Sequence, residues 1–544
     1  MEPMAVEPVA KEQPPGPTLT FWGPDPVPLP PRFARIKRAL MAGHEAELEA
    51  SWARLVEALR AEVEHIEGLG AHLIPSVEFA DLDDAAQTAR FGRDLRRYGV
   101  GVVRKVVPRA DADAAVADTV RYLRRRPGPA PAADPAAPGP GPGPPGLRAP
   151  RQDPTCYDCF WTPAQVRCRA HPRVLRAQRF MMGLWDADAA ADRLATRLPI
   201  SYADRIRVEG PGFGPAAAAA ATPATDAAPE QRDRLLARQS ADDWITALQS
   251  SAGIIAQVDN GSLERWEPDG YGRGGTYDRV FHGRWEQYDP WQCASRVGAS
   301  IDLYNGYGSC SILRMFQGLL ALSTTEPGML RLLPSPRLAT AYYLLRPFFA
   351  PRRPAPALRS GPDWDAYLAP ENWGLRRDPD TIVHGAVPGH AQRVTERWHP
   401  HLRLRSSLVT LPTLQPGDYI LWHPDLPYHF SSNPRRRRDH DAVSMLVYVP
   451  AAPLTQTNAL YLARQRKAFR RGLPGPDFDS CGRGTLAEDP DLRPGEPDMD
   501  AVGGAPALRA MGLAPWEEHE AGPDPRLQAE AHVVRMANLI LFPE

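Results

Sequence analysis

The stretch from Ile254 to Pro450 consists of short runs of β-branched and other apolar residues separated by turn residues. Several short strands that recur with turns between them predict an all-β sandwich or barrel. The runs are IIAQVD, SCSILRMFQGLLALS, GMLRLLP, SSLVTLP, DYILWH and AVSMLVYVP. The rest of the chain therefore has to be accommodated around a β core.

Helical periodicity surrounds this β region. Segments rich in Glu, Ala and Arg carry apolar residues at helical spacing, and helical sequence returns after Ala451. One β-rich run, Tyr98–Val107, lies within the first helical region. The predicted fold class is α+β, a barrel with extensive helical decoration. The predicted helices are Arg32–Gly68 (one long helix or a helical hairpin), Ala86–Arg97, Asp111–Arg125, Thr162–Trp185 with a break at Pro172, Arg232–Ser250 and Arg337–Phe349.

Proline accounts for 61 of the 544 residues and is concentrated in a few segments. Segments 126–150 and 210–230 are rich in Pro, Gly and Ala, cannot bury enough apolar surface to offset the entropy of ordering, and are predicted to be disordered inserts. The predicted division is a disordered tail (1–31), a helical and strand segment packed on the barrel (32–125), an insert (126–150), a barrel core (151–450) containing the insert 210–230, and a helical and irregular cap (451–544).

The charge balance narrows the classes of partner. With 64 basic and 65 acidic residues, the formal net charge of −1 gives no general attraction to nucleic acid or to an anionic membrane surface. No apolar run reaches the length of a membrane span, and the first residues lack the features of a signal peptide. Six cysteines are too few for a disulfide scaffold of this size. We therefore predict a soluble, cytoplasmic protein with a small-molecule or protein partner; the oligomeric state is left open.

Two segments of the β region carry side chains that could bind a metal ion. Gln257 and Asp259 lie two residues apart at the end of a strand and would point to the same face. In LQPGDYILWHPDLPYHFSSNP, a strand ends at His423 and a turn leads to His429. An iron oxygenase needs two imidazoles and one carboxylate on one side of the metal. Asp259 and His429 are predicted to be two of those three ligands.

The order of the sequence motifs in this chain resembles that of the Fe(II)/2-oxoglutarate-dependent dioxygenases with a double-stranded β-helix (jelly roll). More narrowly, it resembles the domain-of-unknown-function family 1479. The pattern is a strand ending in H-x-D, then A-L-S/D-T-x-E-x-G-x-L-x-x-x-P, then P-G-D-x-x-x-x-H-x-x-x-x-H. The resemblance covers residues 32–470 apart from the two inserts. The matching phrases are 259–266 (DNGSLERW), 285–290 (WEQYDP), 309–323, 328–334, 384–389 (HGAVPG), 398–400 (WHP), 416–429 and 448–453 (YVPAAP).

The resemblance implies a jelly-roll barrel that binds Fe(II) and 2-oxoglutarate. Its implied reaction oxidises an unknown small molecule while 2-oxoglutarate is converted to succinate and carbon dioxide. Such an enzyme needs a cation for the distal carboxylate of 2-oxoglutarate, usually an arginine. The candidates are Arg314, inside SILRMFQG, and Arg438, a few residues before the last strand.

The sequence departs from the family pattern at Gln257, which stands where the histidine of H-x-D is expected. An amide oxygen is a weaker ligand for Fe(II) than an imidazole. Iron could be held by Asp259, His429 and either Gln257 or water; His423 could supply the second imidazole; or the site could lack iron. The competing function is thus a non-catalytic jelly-roll binding protein that has lost its metal.

A separate group of residues has the ligand types of a zinc site. Cys156, Cys159, Cys168 and His171 form a C-x2-C-x8-C-x2-H array. Cys168 and His171 fall in a predicted helix, and the resemblance extends through this helix without requiring cysteine. Unligated cysteines are the competing interpretation.

Overall fold

The computed structural model describes residues 27–125, 155–210, 213, 254–259, 261–430, 443–478, 488–489, 491–518 and 525–543. Apart from residues 210 and 213, the two predicted inserts lie outside these ranges, as does the predicted helix Arg232–Ser250. The division into tail, core and cap stays a prediction.

The described residues form thirteen α-helices, numbered here in chain order. None of them is both long and apolar enough to cross a membrane. The helices are α1 (Arg32–Met41), α2 (Glu45–Leu69), α3 (Ala85–Tyr98), α4 (Arg109–Arg125), α5 (Pro163–Ala170), α6 (Pro172–Met182), α7 (Asp278–Phe281), α8 (Leu338–Leu345), α9 (Pro362–Leu368), α10 (Leu404–Ser407), α11 (Gln456–Arg471), α12 (Glu496–Ala510) and α13 (Pro525–Leu541).

Sixteen short strands complete the described secondary structure. They are β1 (Ser76–Glu78), β2 (Val100–Arg104), β3 (Cys156–Tyr157), β4 (Leu194–Ile200), β5 (Ile206–Glu209), β6 (Ile255–Val258), β7 (Gln317–Ala321), β8 (Leu330–Leu332), β9 (Phe349–Pro351), β10 (Trp373–Leu375), β11 (Gln392–Thr395), β12 (Val409–Thr410), β13 (Tyr419–Trp422), β14 (Tyr428–Phe430), β15 (Ser444–Tyr448) and β16 (Ala452–Thr455).

Local sequence explains where several helices begin and end. The predicted helix Arg32–Gly68 is divided into α1 and α2, joined through Gly43 at a positive φ of 78° that glycine adopts without steric cost. Thr162 and Gln165 form a capping box at the start of α5. The predicted break at Pro172 separates α5 from α6, and His171 caps α6.

The strands form two large sheets. The seven-stranded sheet has the order β1-β2-β13-β7-β15-β5-β3, and the five-stranded sheet has the order β11-β6-β14-β8-β12. Apart from the parallel pair β1–β2, the pairings within these sheets are antiparallel. Two further pairs, β9–β10 and β4–β16, lie outside the large sheets. The α+β prediction is confirmed, whereas the described strands form separate sheets rather than one closed barrel.

One hydrophobic core lies between the two large sheets. It contains Val102, Leu319 and Ile420 from the seven-stranded sheet and Leu330 and Leu332 from the five-stranded sheet. These residues are at most 1% exposed, so the two sheets exclude water from their shared interface. Functional side chains on the facing surfaces are therefore brought together inside the protein.

The other face of the seven-stranded sheet packs on helices. Leu320 and Tyr419 of this sheet share a second core with Phe91 of α3, Ala115 of α4 and Met181 of α6. A third core joins the antiparallel pair β4–β16 to α11, α12 and α13. Helices thus cover the outer face of the seven-stranded sheet and the β4–β16 pair.

Candidate functional site

Asp259, which directly follows β6, is the carboxylate at the centre of the candidate site. Its Oδ2 accepts hydrogen bonds from the Tyr428 hydroxyl at 2.5 Å and from the Gln317 amide at 2.9 Å. Its Oδ1 accepts a hydrogen bond from the Gln257 amide at 3.3 Å. Gln317 begins β7 of the seven-stranded sheet, whereas Gln257 and Tyr428 belong to β6 and β14 of the five-stranded sheet. The carboxylate therefore links the two sheets through hydrogen bonds.

The amide of Gln257 is fixed in one orientation. Its nitrogen donates to the Tyr428 hydroxyl and to Asp259, and its oxygen accepts a hydrogen bond from the guanidinium of Arg393. Arg393 lies directly opposite Gln257 in the register between β11 and β6. Burial lowers the pKa of Arg393 to about 10, although Tyr428 and Asp259 act to raise it. The oxygen with which Gln257 could bind a cation is therefore already bound to a cationic side chain.

The Tyr428 side chain is a protonated phenol that serves as a hydrogen-bond donor. Burial and the neighbouring charge of Asp259 raise the pKa of Tyr428 well above that of an ordinary tyrosine. Its hydroxyl donates to Asp259 and accepts from Gln257. A neutral phenol is a poor ligand for Fe(II) compared with an imidazole.

The structure places Tyr428, and not His429, beside Asp259. Successive side chains of a strand point to opposite faces. Tyr428 faces the seven-stranded sheet, where its ring lies 5.6 Å from that of Trp422, and the Phe430 ring lies 5.6 Å from the Tyr428 ring. His429, between them, consequently points to the opposite face of the five-stranded sheet. The predicted meeting of Asp259 and His429 is corrected accordingly.

His429 has partners of its own on that outer face. Its Nδ1 lies 2.8 Å from the carbonyl oxygen of Ile255. In the register between β14 and β8, His429 lies opposite Arg331. Burial lowers its pKa, as do nearby arginine charges. The sequence held a signal for the correct assignment: in P-G-D-x-x-x-x-H-x-x-x-x-H, the second histidine stands five residues after the first. Counted from His423, that position is Tyr428.

His423 is a structural residue. It is fully buried, its Nε2 lies 2.9 Å from the carbonyl oxygen of Pro290, and its Nδ1 accepts a hydrogen bond from the backbone N–H of Asp425 at 3.1 Å. Its ring stacks on Trp185 with centroids 5.0 Å apart. Burial lowers its pKa to about 4, so the imidazole is neutral. Both ring nitrogens are engaged, and His423 does not replace the missing imidazole.

Of the two predicted 2-oxoglutarate arginines, only Arg314 lies within the described residues; Arg438 lies outside them. Arg314 is buried, with its guanidinium 5.7 Å from the ring centre of Tyr202. Burial by itself lowers the pKa of Arg314, but surrounding acidic groups, Asp259 among them, raise it above its usual value. Arg314 is thus within electrostatic reach of the site.

The predicted zinc array has the character of packed, unligated side chains. Cys156, Cys159 and Cys168 are buried and form no disulfide among the described residues, and burial raises the pKa of Cys168 to about 12. The Nδ1 of His171 accepts a hydrogen bond from the backbone N–H of Arg173. Within the described part of the chain, no group of three or more His, Cys, Asp or Glu side chains could hold a metal ion.

The side chains around Asp259 do not match an Fe(II) site of two imidazoles and one carboxylate. Asp259 is joined by an amide whose oxygen is bound to an arginine and by a neutral phenol. The three groups satisfy one another by hydrogen bonds, and the adjacent positive charge of Arg393 disfavours a bound cation. This polar group instead joins the two sheets by hydrogen bonds.

Fold and site together define a class of protein: two packed, largely antiparallel sheets in a helical shell, with an aspartate-centred polar group between them. The chain belongs to the Gig2-like family, whose model matches residues 27–513. It is 27% identical over 444 residues to the uncharacterized protein YbiU of Escherichia coli K12, a match that covers 79% of this chain and 86% of YbiU.

Solved structures share the fold of this chain. GlcNAc Inducible Gene 2, GIG2 (DUF1479), from Candida albicans superimposes with a TM-score of 0.70 at 23% identity, covering 95% of this chain and 96% of that one. A Salmonella typhimurium LT2 protein named "Putative Oxidoreductase" superimposes with a TM-score of 0.60 at 25% identity, covering 88% of this chain and 96% of its own. The resemblance to family 1479 is confirmed.

Proposed function

We propose that this protein is a jelly-roll member of the Fe(II)/2-oxoglutarate oxygenase superfamily that binds a small molecule between its sheets without a resident iron. One observation carries the proposal: Asp259 is met by Gln257 and Tyr428 rather than by two imidazoles. The site has kept its carboxylate and has hydrogen-bonding side chains in the two positions where the family pattern has histidine.

The strand order supports the jelly-roll part of this proposal. Consecutive strands β5, β6, β7 and β8 belong alternately to the seven-stranded and the five-stranded sheet, and β12, β13, β14 and β15 alternate in the same way. The eight strands are neighbours within their sheets, as β13-β7-β15-β5 and β6-β14-β8-β12. Two interleaved four-stranded sheets of this kind are expected for an eight-stranded jelly roll.

The second candidate is an active Fe(II)- and 2-oxoglutarate-dependent dioxygenase. The name of the Salmonella protein, "Putative Oxidoreductase", favours it. So does Arg314, a buried cation of the kind that suits the distal carboxylate of 2-oxoglutarate. This candidate requires iron to displace the hydrogen bonds that hold Gln257 and Tyr428.

Anaerobic titration with Fe(II) and 2-oxoglutarate separates the two candidates. For the unmodified protein we expect no metal-to-ligand charge-transfer absorption and no succinate release after oxygen is admitted. The double variant Gln257→His/Tyr428→His installs two imidazoles beside Asp259, and we expect it to bind Fe(II) and to show the absorption band.

A third variant tests the geometry behind this expectation. His429→Ala, made in the background of the double variant, should leave metal binding unchanged because His429 faces away from Asp259. A charge-transfer band in the unmodified protein together with succinate release would refute the iron-free proposal. If the band of the double variant disappeared when His429→Ala was added, His429 would be a ligand after all.

A further inference from the structure

A fully buried arginine holds the backbone on which Asp259 stands. Arg265 is 1% exposed and lies six residues after Asp259. Its guanidinium donates to the carbonyl oxygen of Asp259 at 2.5 Å and to the carbonyl oxygen of Gly261. The same Nη2 lies 3.4 Å from Oδ1 of Asp425. One side chain therefore ties the segment after β6 to the turn between β13 and β14.

Asp425 fixes the other half of the site. It lies three residues before Tyr428 and is fully buried. Its carboxylate accepts a hydrogen bond from Arg296 at 2.7 Å and from the Tyr277 hydroxyl at 3.1 and 3.2 Å. Its backbone carbonyl accepts a hydrogen bond from the Tyr343 hydroxyl at 3.3 Å. The turn that leads into Tyr428 thus has its position set by groups outside the sheets.

The direct ladder between the strands that lead to Asp259 and Tyr428 is short. β14 pairs with β6 through a single residue pair, Tyr428 opposite Gln257, and Asp259 comes after Val258, the last residue of β6. Each strand is held mainly by its other neighbour, β6 by β11 and β14 by β8. The ion pair between Arg265 and Asp425 therefore adds a second link between the segments that carry Asp259 and Tyr428.

We propose that Arg265 is a positioning residue, which through Asp425 sets the separation of the Asp259 carboxylate and the Tyr428 hydroxyl. That this separation matters for function rests on the proposed function. The positioning by Arg265 itself does not depend on any ligand. The proposal also assigns a role to Arg265 in the segment DNGSLERW and to Asp425 in the segment HPDLP. The candidate site itself uses only Asp259 of these two segments.

The chemistry of the cluster explains why this residue is an arginine. Arg265 and Arg296 share the single carboxylate of Asp425, and each guanidinium lies against a tyrosine ring, Arg265 5.6 Å from Tyr343 and Arg296 5.6 Å from Tyr277. The planar guanidinium reaches two carbonyl groups and a carboxylate at once, which the point charge of a lysine cannot do. Arg265→Lys therefore keeps the buried charge but loses the simultaneous contacts.

Fluorine NMR of a 3-fluorotyrosine placed at position 428 reports the environment of the hydroxyl. We expect the resonance of Arg265→Lys and of Arg265→Met to shift from the position seen with arginine. The matched control is Arg169→Met, which removes another fully buried arginine that donates to the carbonyl oxygens of Phe160 and Asp204 in a different core. The control should leave the resonance in place.

The outcomes decide the proposal without reference to metal binding. An unchanged resonance in folded Arg265→Lys would overturn it, and so would an equal shift in Arg169→Met, which would mark a general effect of losing a buried arginine. If Arg265→Met does not fold, Arg265→Lys carries the test because it leaves no uncompensated carboxylate. The Fe(II) titration can fail while this result stands, so the two proposals are distinguishable.

Discussion

Removing the Tyr428 hydroxyl tests how strongly the site is held together. The Tyr428→Phe substitution keeps the ring against Trp422 and deletes a hydroxyl that donates to the Asp259 carboxylate at 2.5 Å and accepts from Gln257. A hydrogen bond to a charged group contributes roughly 1.5–3 kcal/mol. Because the half-buried Asp259 then has one donor fewer, we expect the free energy of unfolding to fall by about 1.5–3 kcal/mol.

Tyr461→Phe is the matched control. Tyr461 is 3% exposed and Tyr428 is 4% exposed, so both substitutions remove a buried hydroxyl. Among the described residues, the Tyr461 hydroxyl has no hydrogen-bond partner. Deleting an unsatisfied buried polar group is neutral or stabilising. Tyr461→Phe should therefore leave the free energy of unfolding unchanged or slightly raised.

Urea denaturation at pH 7, with linear extrapolation, measures both variants against the parent protein. The reasoning requires a clear difference between them, with the larger loss in Tyr428→Phe. Equal losses in the two variants would refute it. They would show that the hydrogen bonds to Asp259 and Gln257 add nothing to the effect of deleting any buried tyrosine hydroxyl.

Three further predictions concern residues outside the site. Burial lowers the pKa of His423 from 6.5 to about 4, so its contribution to the free energy of unfolding is complete above pH 6.5 and is lost as the pH falls toward 4. From pH 7 to pH 5 we expect this group to lower the free energy of unfolding by roughly 2 kcal/mol. Denaturation at the two pH values should show a smaller fall in His423→Phe, which has no titrating group at this position. Gly385→Ala should lower the free energy of unfolding by about 3 kcal/mol or more, because φ is +74° and a Cβ would lie 1.8 Å from a backbone oxygen of β11. Gly361→Ala is the control: its φ is also positive but the space around it is open, so it should lower the free energy of unfolding by only about 1–2 kcal/mol in the same denaturation assay. Cys168 and Cys310, both buried with pKa values raised to about 12, should resist thiol reagents at pH 8 until the protein is denatured, as mass spectrometry of the labelled protein will show.

Local patterns in the sequence predicted much of the secondary structure. The break at Pro172 and the run Ile254–Val258 appear as the α5–α6 boundary and β6. The run SCSILRMFQGLLALS was predicted less well, since only Gln317–Ala321 is a strand. β-Propensity marks which residues suit a sheet, but strand length depends on the partner available, and β7 pairs with the four-residue strand β13 and with three residues of β15.

The sequence by itself predicted the β core with helical decoration and the family, named Asp259 as the candidate carboxylate and showed that position 257 is not a histidine. The spacing of the histidine pattern pointed to Tyr428, but sequence alone did not decide which face of β14 meets the carboxylate, because a shift of one residue along a strand exchanges its two faces. That choice was made by pairing Tyr428 with Gln257, 171 positions apart. The tertiary fold likewise decided two other contacts between distant segments. Arg393 binds the Gln257 amide across 136 positions, and Arg265 pairs with Asp425 across 160 positions.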